Sequence, residues 1–309
     1  MQEIKPYLER VKGNTWCIVT AYARIPLYKL DETRAIMIDS GLPSDGEEIL
    51  EVLEKHQLQV VALLTSHTHP DHVGNHRLLK ERYGAKVYMT AFAAATMADP
   101  VTMYAVLGTK AGYHKTIQRM NGTLQTDHFL LWEDGKCEVE GAVFRQIATA
   151  GHCAEHLCFV TPDNVAYLGD AILSEHITRT VRLPYCNCLE PYIASWEKIG
   201  QLKCDKYILA HNGILDEIRE LVALSKKELE RRLIALEDLA RTPVTADELV
   251  RSYLVKTDAD LTSWRSVNGV NFNAKAFTGY LVDKKRLLFV LEDGIMKFVK
   301  NQENDGGNQ

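Results

Sequence analysis

Ser66-His67-Thr68-His69-Pro70-Asp71-His72-Val73-Gly74-Asn75 is the stretch whose reading decides the fold. It directly follows Val60 to Leu64, an apolar run of the length of a buried strand. Four potential metal ligands, His67, His69, Asp71 and His72, fall within six residues. In an extended segment residues two apart point the same way, so His67 and His69 can reach one point. Asp71 and His72 lie where a helix over 72–82 is expected to begin. There the chain changes direction, and the two side chains can face a neighbouring point. One short loop can thus feed two metals. A single His or Asp in this place reads as a cap or a solvated side chain, whereas the cluster reads as a site.

Outward from this loop the chain has an α/β rhythm. Residues 16–20 and 35–38 read as buried strands, the second stopping at the turn signal Asp39-Ser40-Gly41. Residues 46–56 carry helical spacing in Ile49, Leu50 and Leu53. Strand, helix, strand predicts a mixed α/β domain over 1–215. Later strands are expected at 85–89, 129–132, 137–139, 143–148, 156–160, 165–168 and 206–210. Residues 91–125 read as a helical insertion. A charged helix over 216–242 connects to a small module over 243–300, and the polar residues 301–309 read as a flexible tail.

The loop alone cannot complete two coordination spheres, so further ligands should stand at other strand ends. His152 follows strand 143–148 in Ala150-Gly151-His152, Asp170 follows 165–168 in Leu168-Gly169-Asp170, and His211 follows 206–210 in Leu209-Ala210-His211. Taken singly, each reads as a turn or surface residue. With the histidine loop they make a rim of metal-compatible side chains.

These motifs resemble the metallo-β-lactamase superfamily, whose signature is a His-x-His-x-Asp-His loop followed by later His, Asp and His ligands. The resemblance runs from about Trp16 to Gly213, roughly two thirds of the chain. It includes Thr149 to Leu157, Tyr167-Leu168-Gly169-Asp170 and Ala210-His211-Asn212-Gly213. It implies an αββα sandwich with metals on one edge. It also implies a first metal on His67, His69 and His152, a second on Asp71, His72 and His211, and Asp170 bridging both. Asp39 matches an acid of the family that orients the histidine loop, with a plain turn residue as the equal alternative.

The donors are nitrogen and oxygen without thiolate, which makes zinc the default and leaves iron or manganese open. Two such divalent ions would activate a bridging hydroxide for attack on an ester, thioester or lactone carbonyl. Asp71 and Asp170 are the candidate catalytic carboxylates. Within the superfamily many true β-lactamases carry Cys where Asp170 stands, and flavodiiron members carry Glu where His69 stands. The resemblance therefore points to hydrolysis of ester-like bonds. A mononuclear iron persulfide dioxygenase and a metallo-nuclease are the alternatives. Cys153 reads as a buried structural cysteine and His156 as a residue supporting the ligands. His56, His76, His114, His128 and His176 read as bystanders.

Substrate choice should lie with what covers the rim. Candidates are the insertion, with Met97, Met103, Tyr104, Leu107 and Tyr113, and the segment from Ser174 to Glu190, with Arg179, Arg182 and Tyr185. Either arginine could hold an anionic group, although a solvated charge is the plainer reading of each. The module over 243–300 reads as helix (245–254), helix (272–283) and an Asp293-Gly294 hairpin, a winged-helix-like order. Lys275, Lys284, Lys285 and Arg286 give it a modest basic edge. The net charge of -5 speaks against a broad nucleic-acid surface. Packing on the catalytic domain or forming a homodimer is the favoured role for the tail, and the expected partner is a small-molecule substrate. The N-terminus lacks the basic start and apolar run of a secretory signal, and no membrane span is evident. The seven scattered cysteines suit a reducing cytoplasm.

Overall fold

Ile36 and Ile38 project to one face of their strand, and Ala35 and Met37 to the other; both faces are buried. A strand with two apolar faces must lie between two layers. The computed structural model describes residues 5–99, 102 and 124–302. In it, β4 (Arg34–Ile38) lies within a sheet of spatial order β1 (Tyr7–Lys12), β2 (Thr15–Val19), β3 (Arg24–Lys29), β4, β5 (Gln59–Leu64), β6 (Lys86–Thr90), β7 (His128–Leu130). The first four strands form an antiparallel meander, and β4 to β7 run parallel. The second sheet has the order β13 (Ile214–Leu215), β12 (Lys206–Ile208), β11 (Val165–Tyr167), β10 (Leu157–Val160), β9 (Ala142–Ala148), β8 (Gly135–Val139).

The inner faces meet in one apolar layer that includes Ile36, Ile38, Leu64, Phe144, Phe159 and Ile208. Helices α1 (Gly46–Lys55), α3 (His76–Tyr83) and α4 (Ala91–Ala98) cover the outer face of the first sheet. α1 has Glu47 and Glu48 in its first turn and Lys55 in its last, which complements the helix dipole. Over the second sheet lie α5 (Glu175–Thr180), α6 (Leu189–Gln201), α7 (Arg219–Leu239), α8 (Ala246–Lys256) and α9 (Trp264–Asp283). The layer order is thus αββα, as the resemblance implies.

Several expectations need correction. The helix over 72–82 is two pieces, α2 (Pro70–Val73) and α3. Gly74 stays helical at φ -56° and ψ -28°, and the helix breaks at Asn75, with φ -120° and ψ 11°. A side chain on Gly74 would meet Pro43 N at 2.4 Å and Gly41 O at 2.5 Å, so glycine lets the turn pack against that segment. Asn75 then ties the turn down, its amide donating to the Ser40 and Leu42 carbonyls at 2.7 Å each. The segment from Ser174 to Glu190 contains α5, and β1, β3 and β13 had no counterpart among the expected strands. In the tail the helices run 246–256 and 264–283, with a hairpin of β14 (Leu287–Glu292) and β15 (Ile295–Lys300).

Leu249, Tyr253, Phe277, Leu281, Leu287 and Phe298 of the tail belong to the same apolar cluster as Tyr192 and Trp196 of α6. Beyond α4, most of the insertion, including Met103, Tyr104, Leu107, Tyr113 and His114, lies outside the described residues, as does 303–309. Among the described residues no helix is long and apolar enough to cross a membrane. The seven cysteines are free thiols.

Candidate metal centre

The centre is built on a carboxylate that holds the loop from below. Asp39 ends β4 with φ 59°, a left-handed conformation that Asp tolerates better than most residues. It is buried and accepts four hydrogen bonds. These come from Ser66 N at 2.8 Å, Ser66 Oγ at 2.6 Å, His72 Nδ1 at 2.7 Å and the Tyr167 hydroxyl at 2.7 Å. Burial alone would raise its pKa. The charge and hydrogen bond of His72, with the bonds from Ser66, outweigh burial and lower it. Asp39 is therefore no plain turn residue. It takes the Nδ1 proton of His72 and leaves Nε2 facing outward, as partners of ligating histidines do.

His76 is not a bystander. It is fully buried, with Nδ1 at 2.7 Å from Ser40 Oγ and Nε2 at 2.9 Å from Thr65 Oγ1, so it pins the loop to β4 and β5. Burial pushes its pKa down to about 4, which keeps it neutral.

All seven residues expected as ligands come together at one sheet rim, and they fall into two groups. His67, His69, His152 and Asp170 have donor atoms mutually within 4.8 Å, as do Asp71, His72, Asp170 and His211. Asp170 belongs to both. Its Oδ2 stands 3.3 Å from His152 Nε2 and 3.6 Å from His72 Nε2, and its Oδ1 stands 3.4 Å from His211 Nε2. His211 Nε2 also lies 3.4 Å from Asp71 Oδ2, while its Nδ1 donates to the Tyr22 carbonyl at 2.9 Å. The rings of His67 and His72 approach to 4.1 Å. A third grouping, Asp39 with His67 and His72, is accounted for by the hydrogen bonds of Asp39.

The donors fit divalent cations. His152 turns its Nε2 to the cluster, 2.9 Å from His69 Nδ1, and His67 Nε2, His72 Nε2 and Asp170 Oδ1 are buried without a hydrogen-bond partner. Each such atom costs about 1–3 kcal/mol, and imidazole and carboxylate donors gathered this closely are the donor set of zinc, iron or manganese sites. The electrostatics agree. Burial and the neighbouring imidazoles hold His67 well below its ordinary value; burial brings His152 down to about 3, so both stay neutral. Burial would also lower His211, but Asp170 and Asp71 raise it to about 9, and Asp170 and Asp39 raise His72 in the same way. Burial would raise Asp170, yet His72, His152 and His211 hold it well below the carboxylate range. The buried carboxylates thus demand positive charge beside them, which protons on His72 and His211 supply and a cation would supply better.

Glycines set the approach of the supporting loops. Gly169 has φ 50°, and a Cβ there would stand 2.5 Å from His156 Nε2. That closeness lets His156 Nε2 accept from the Asp170 amide at 3.2 Å while Nδ1 pairs with Thr149 Oγ1 at 2.8 Å. With both nitrogens engaged, His156 positions Asp170 rather than joining the donors. Cys153 donates to the Glu155 carbonyl, and burial raises its thiol well above the usual range, which suits a structural cysteine.

One wall of the site comes from the segment after α5. Tyr185 packs against His69 and His152 with ring centroids 5.0 Å from each, and Phe272 of α9 stacks on its other side at 5.8 Å. The segment is clamped by the tail. Buried Arg232 of α7 donates to the carbonyls of Thr178, Val181 and Arg182, the Tyr253 hydroxyl donates to Arg182 O, and the Asn273 amide to Leu183 O. Sequence reading named Tyr185 as covering the rim but missed Arg232, Phe272 and Asn273. The signal for Arg232 was its place on the apolar stripe Leu229, Leu233 and Leu236. Arg179 pairs with Glu175 at 2.8 Å, and Arg182 donates to Asp258 O at 3.0 Å.

A probable metallo-hydrolase from Streptococcus pyogenes serotype M6 is 28% identical over 155 residues, covering 50% of this chain and 63% of that protein. A hydroxyacylglutathione hydrolase from Chromohalobacter salexigens is 24% identical over 143 residues, covering 46% of this chain and 44% of that protein. The aligned stretches thus span less than two thirds of either relative. The crystal structure of a metallo-beta-lactamase family protein from Thermus thermophilus superposes with a TM-score of 0.70 at 19% identity, covering 96% of this chain and 97% of that one, and shows the shared fold. Residues 17–211, which hold all seven donors and both sheets apart from β1, the first two residues of β2, and β13, match the metallo-beta-lactamase superfamily profile, and the chain belongs to that superfamily.

Proposed function

We propose that the protein is a dinuclear metal-dependent hydrolase of thioester, ester or lactone bonds. The observation that carries this reading is Asp170, one buried carboxylate shared by two donor clusters. His67, His69 and His152 would hold one cation, Asp71, His72 and His211 the other, with zinc as the default and Asp170 between them. Bound there, two divalent cations supply Lewis acidity and bring the pKa of water from about 15.7 towards about 7.

The chain's own residues do the rest. Asp170 is held by its backbone amide on His156 and by the Tyr192 hydroxyl on its carbonyl, so its carboxylate is fixed before substrate arrives. Such preorganisation spares reorganisation during the reaction. Asp71, with its side chain one third exposed, faces solvent at the mouth, and its Oδ2 can receive a proton from water and return it to the leaving group. The ring of Tyr185 orients the substrate beside His69 and His152. A mononuclear dioxygenase would leave Asp71 and His211 without a task, whereas a dinuclear hydrolase uses both. The hydroxyacylglutathione hydrolase relative supports thioesters as the first class to test, and the free thiols are in keeping with a reducing cytoplasm.

The test is metal analysis of protein purified without chelator, combined with turnover of a panel of acyl thioesters, esters and lactones. Close to two metals per chain and thioester or lactone turnover abolished by chelation are expected. One firmly held iron with oxygen uptake on glutathione persulfide would replace this reading with the dioxygenase.

A further inference from the structure

The hairpin of β14 and β15 has a composition that its own fold does not use. Leu288, Phe289, Leu291, Ile295 and Met296 are 44%, 59%, 72%, 51% and 53% exposed. The base of the hairpin is anchored, with Leu287 and Phe298 buried in the core of the second layer and Val244 bridging to Phe298. The tip projects. Among the described residues β14 pairs only with β15, so its other edge is an edge strand. Natural edge strands carry charges, prolines or bulges that prevent pairing. Leu287-Leu288-Phe289-Val290-Leu291 carries none of these.

Charge decides what can cover this edge. The strand is preceded by Lys284, Lys285 and Arg286 and followed by Glu292 and Asp293. A wing gripping phosphates would carry basic residues at its tip, but here the tip is acidic. The segment is charge-antisymmetric about Phe289. If β14 pairs antiparallel with another copy of itself across a two-fold axis at Phe289, Leu287 faces Leu291 and Arg286, just before the strand, faces Glu292 at its end, while Lys285 and Asp293 lie in the flanking turns with φ 56° and 51°. A symmetric dimer uses one patch on both subunits and needs this kind of self-complementarity. Parallel pairing would instead set basic against basic and acidic against acidic.

We infer that the β14 edge is a homodimer interface, in which two hairpins join into one four-stranded sheet with Phe289 of each copy at the axis. Phe289, Leu291 and Met296, which share one face of the hairpin, then form an apolar strip continuous across the axis, and the charged ends set the register. Arg286 keeps its bonds to Glu230, and Glu292 its bond to Lys297, at the rim of the joined sheets.

Sedimentation of the full chain between about 1 and 100 µM, a range in which specific dimers form, tests this. A dimer is expected for the wild type. Phe289→Glu with Leu291→Glu should raise its dissociation constant at least about 100-fold, because two charges per copy would be buried at the centre. Both side chains are exposed in the single chain, so the far-ultraviolet circular dichroism should not change. Phe289→Cys should cross-link to its own copy under mild oxidation, whereas Met296→Cys should not, with the wild type as the control for native thiols. A wild type that stays monomeric overturns the proposal, including one that floats instead with phosphatidylcholine–phosphatidylserine vesicles. A dimer that survives Phe289→Glu with Leu291→Glu also overturns it. Cross-linking through Met296→Cys but not Phe289→Cys overturns the pairing.

Discussion

The two halves of the metal centre are built alike in chemistry but unlike in surroundings. The inner cluster of His67, His69, His152 and Asp170 lies beneath Tyr185, and His67 and His152 are almost fully buried. The outer cluster of Asp71, His72, Asp170 and His211 opens to solvent at Asp71 and His211. The inner half is enclosed by side chains from several segments of the chain. Apart from the shared Asp170, the outer half is held by the bond of His72 to buried Asp39 and the bond of His211 to the Tyr22 carbonyl. Enclosure slows exchange and exposure admits substrate, so the inner half is expected to keep its metal and the outer half to meet the reactants.

The largest effect should come from the residue the halves share. Asp170→Asn keeps shape but loses the charge that two cations need, so turnover should fall by at least about 10²-fold and metal content should drop. The change sits at the rim, so circular dichroism should stay native. Near-normal turnover with full metal content would reduce Asp170 to a turn residue.

The next test separates the halves. His152→Ala should empty mainly the inner position and His211→Ala the outer one, each leaving close to one metal per chain by elemental analysis. Stepwise chelation of the wild type should remove the outer metal first. If both variants lose both metals together, the halves are one cooperative unit and the contrast fails.

A smaller effect is expected one layer back. Asp39→Asn leaves Ser66, His72 and Tyr167 bonded to a neutral group and should weaken metal binding by about 10–100-fold, more at the outer position because His72 sits there. Equal weakening of both, measured by competition with a chromophoric chelator, would show that Asp39 holds the whole loop rather than its outer half.

The smallest effect concerns stability. His76 is neutral when folded, with its pKa near 4, while the ordinary value is 6.5. Between these values the unfolded chain binds the extra proton, so stability rises with pH in that window. The contribution is complete above about 6.5 and is lost as pH falls towards 4, amounting to about 2 kcal/mol between pH 7 and 5. His76→Gln keeps hydrogen-bonding capacity without titrating, so its thermal midpoint should fall less than that of the wild type over that range. An equal fall would assign the acid sensitivity to other groups.

What was legible followed from local pattern. The apolar run before Ser66 and the two-residue spacing of His67 and His69 are properties of adjacent residues, and adjacent geometry is fixed by the backbone. The strand-end positions of His152, Asp170 and His211 were legible for the same reason. His76 was misread because its partners, Ser40 and Thr65, stand on other segments and carry no spacing signal. The α2–α3 break was missed because it falls at Asn75, whose non-helical conformation is held by bonds to Ser40 and Leu42 on a separate segment.

The sequence by itself thus determined the donor types, their order and the sheet rim on which they stand. These depend on strand periodicity and on chemistry carried by single residues. The family resemblance implied the shared place of Asp170, and the tertiary structure decided between the two readings of Asp39 by showing its four hydrogen bonds. Only the tertiary structure showed that a tail far along the chain clamps Tyr185 against the inner histidines. The physical reason is that hydrogen bonds such as Arg232 to the Thr178 carbonyl and stacking such as Phe272 on Tyr185 join residues whose separation along the chain leaves no periodic trace.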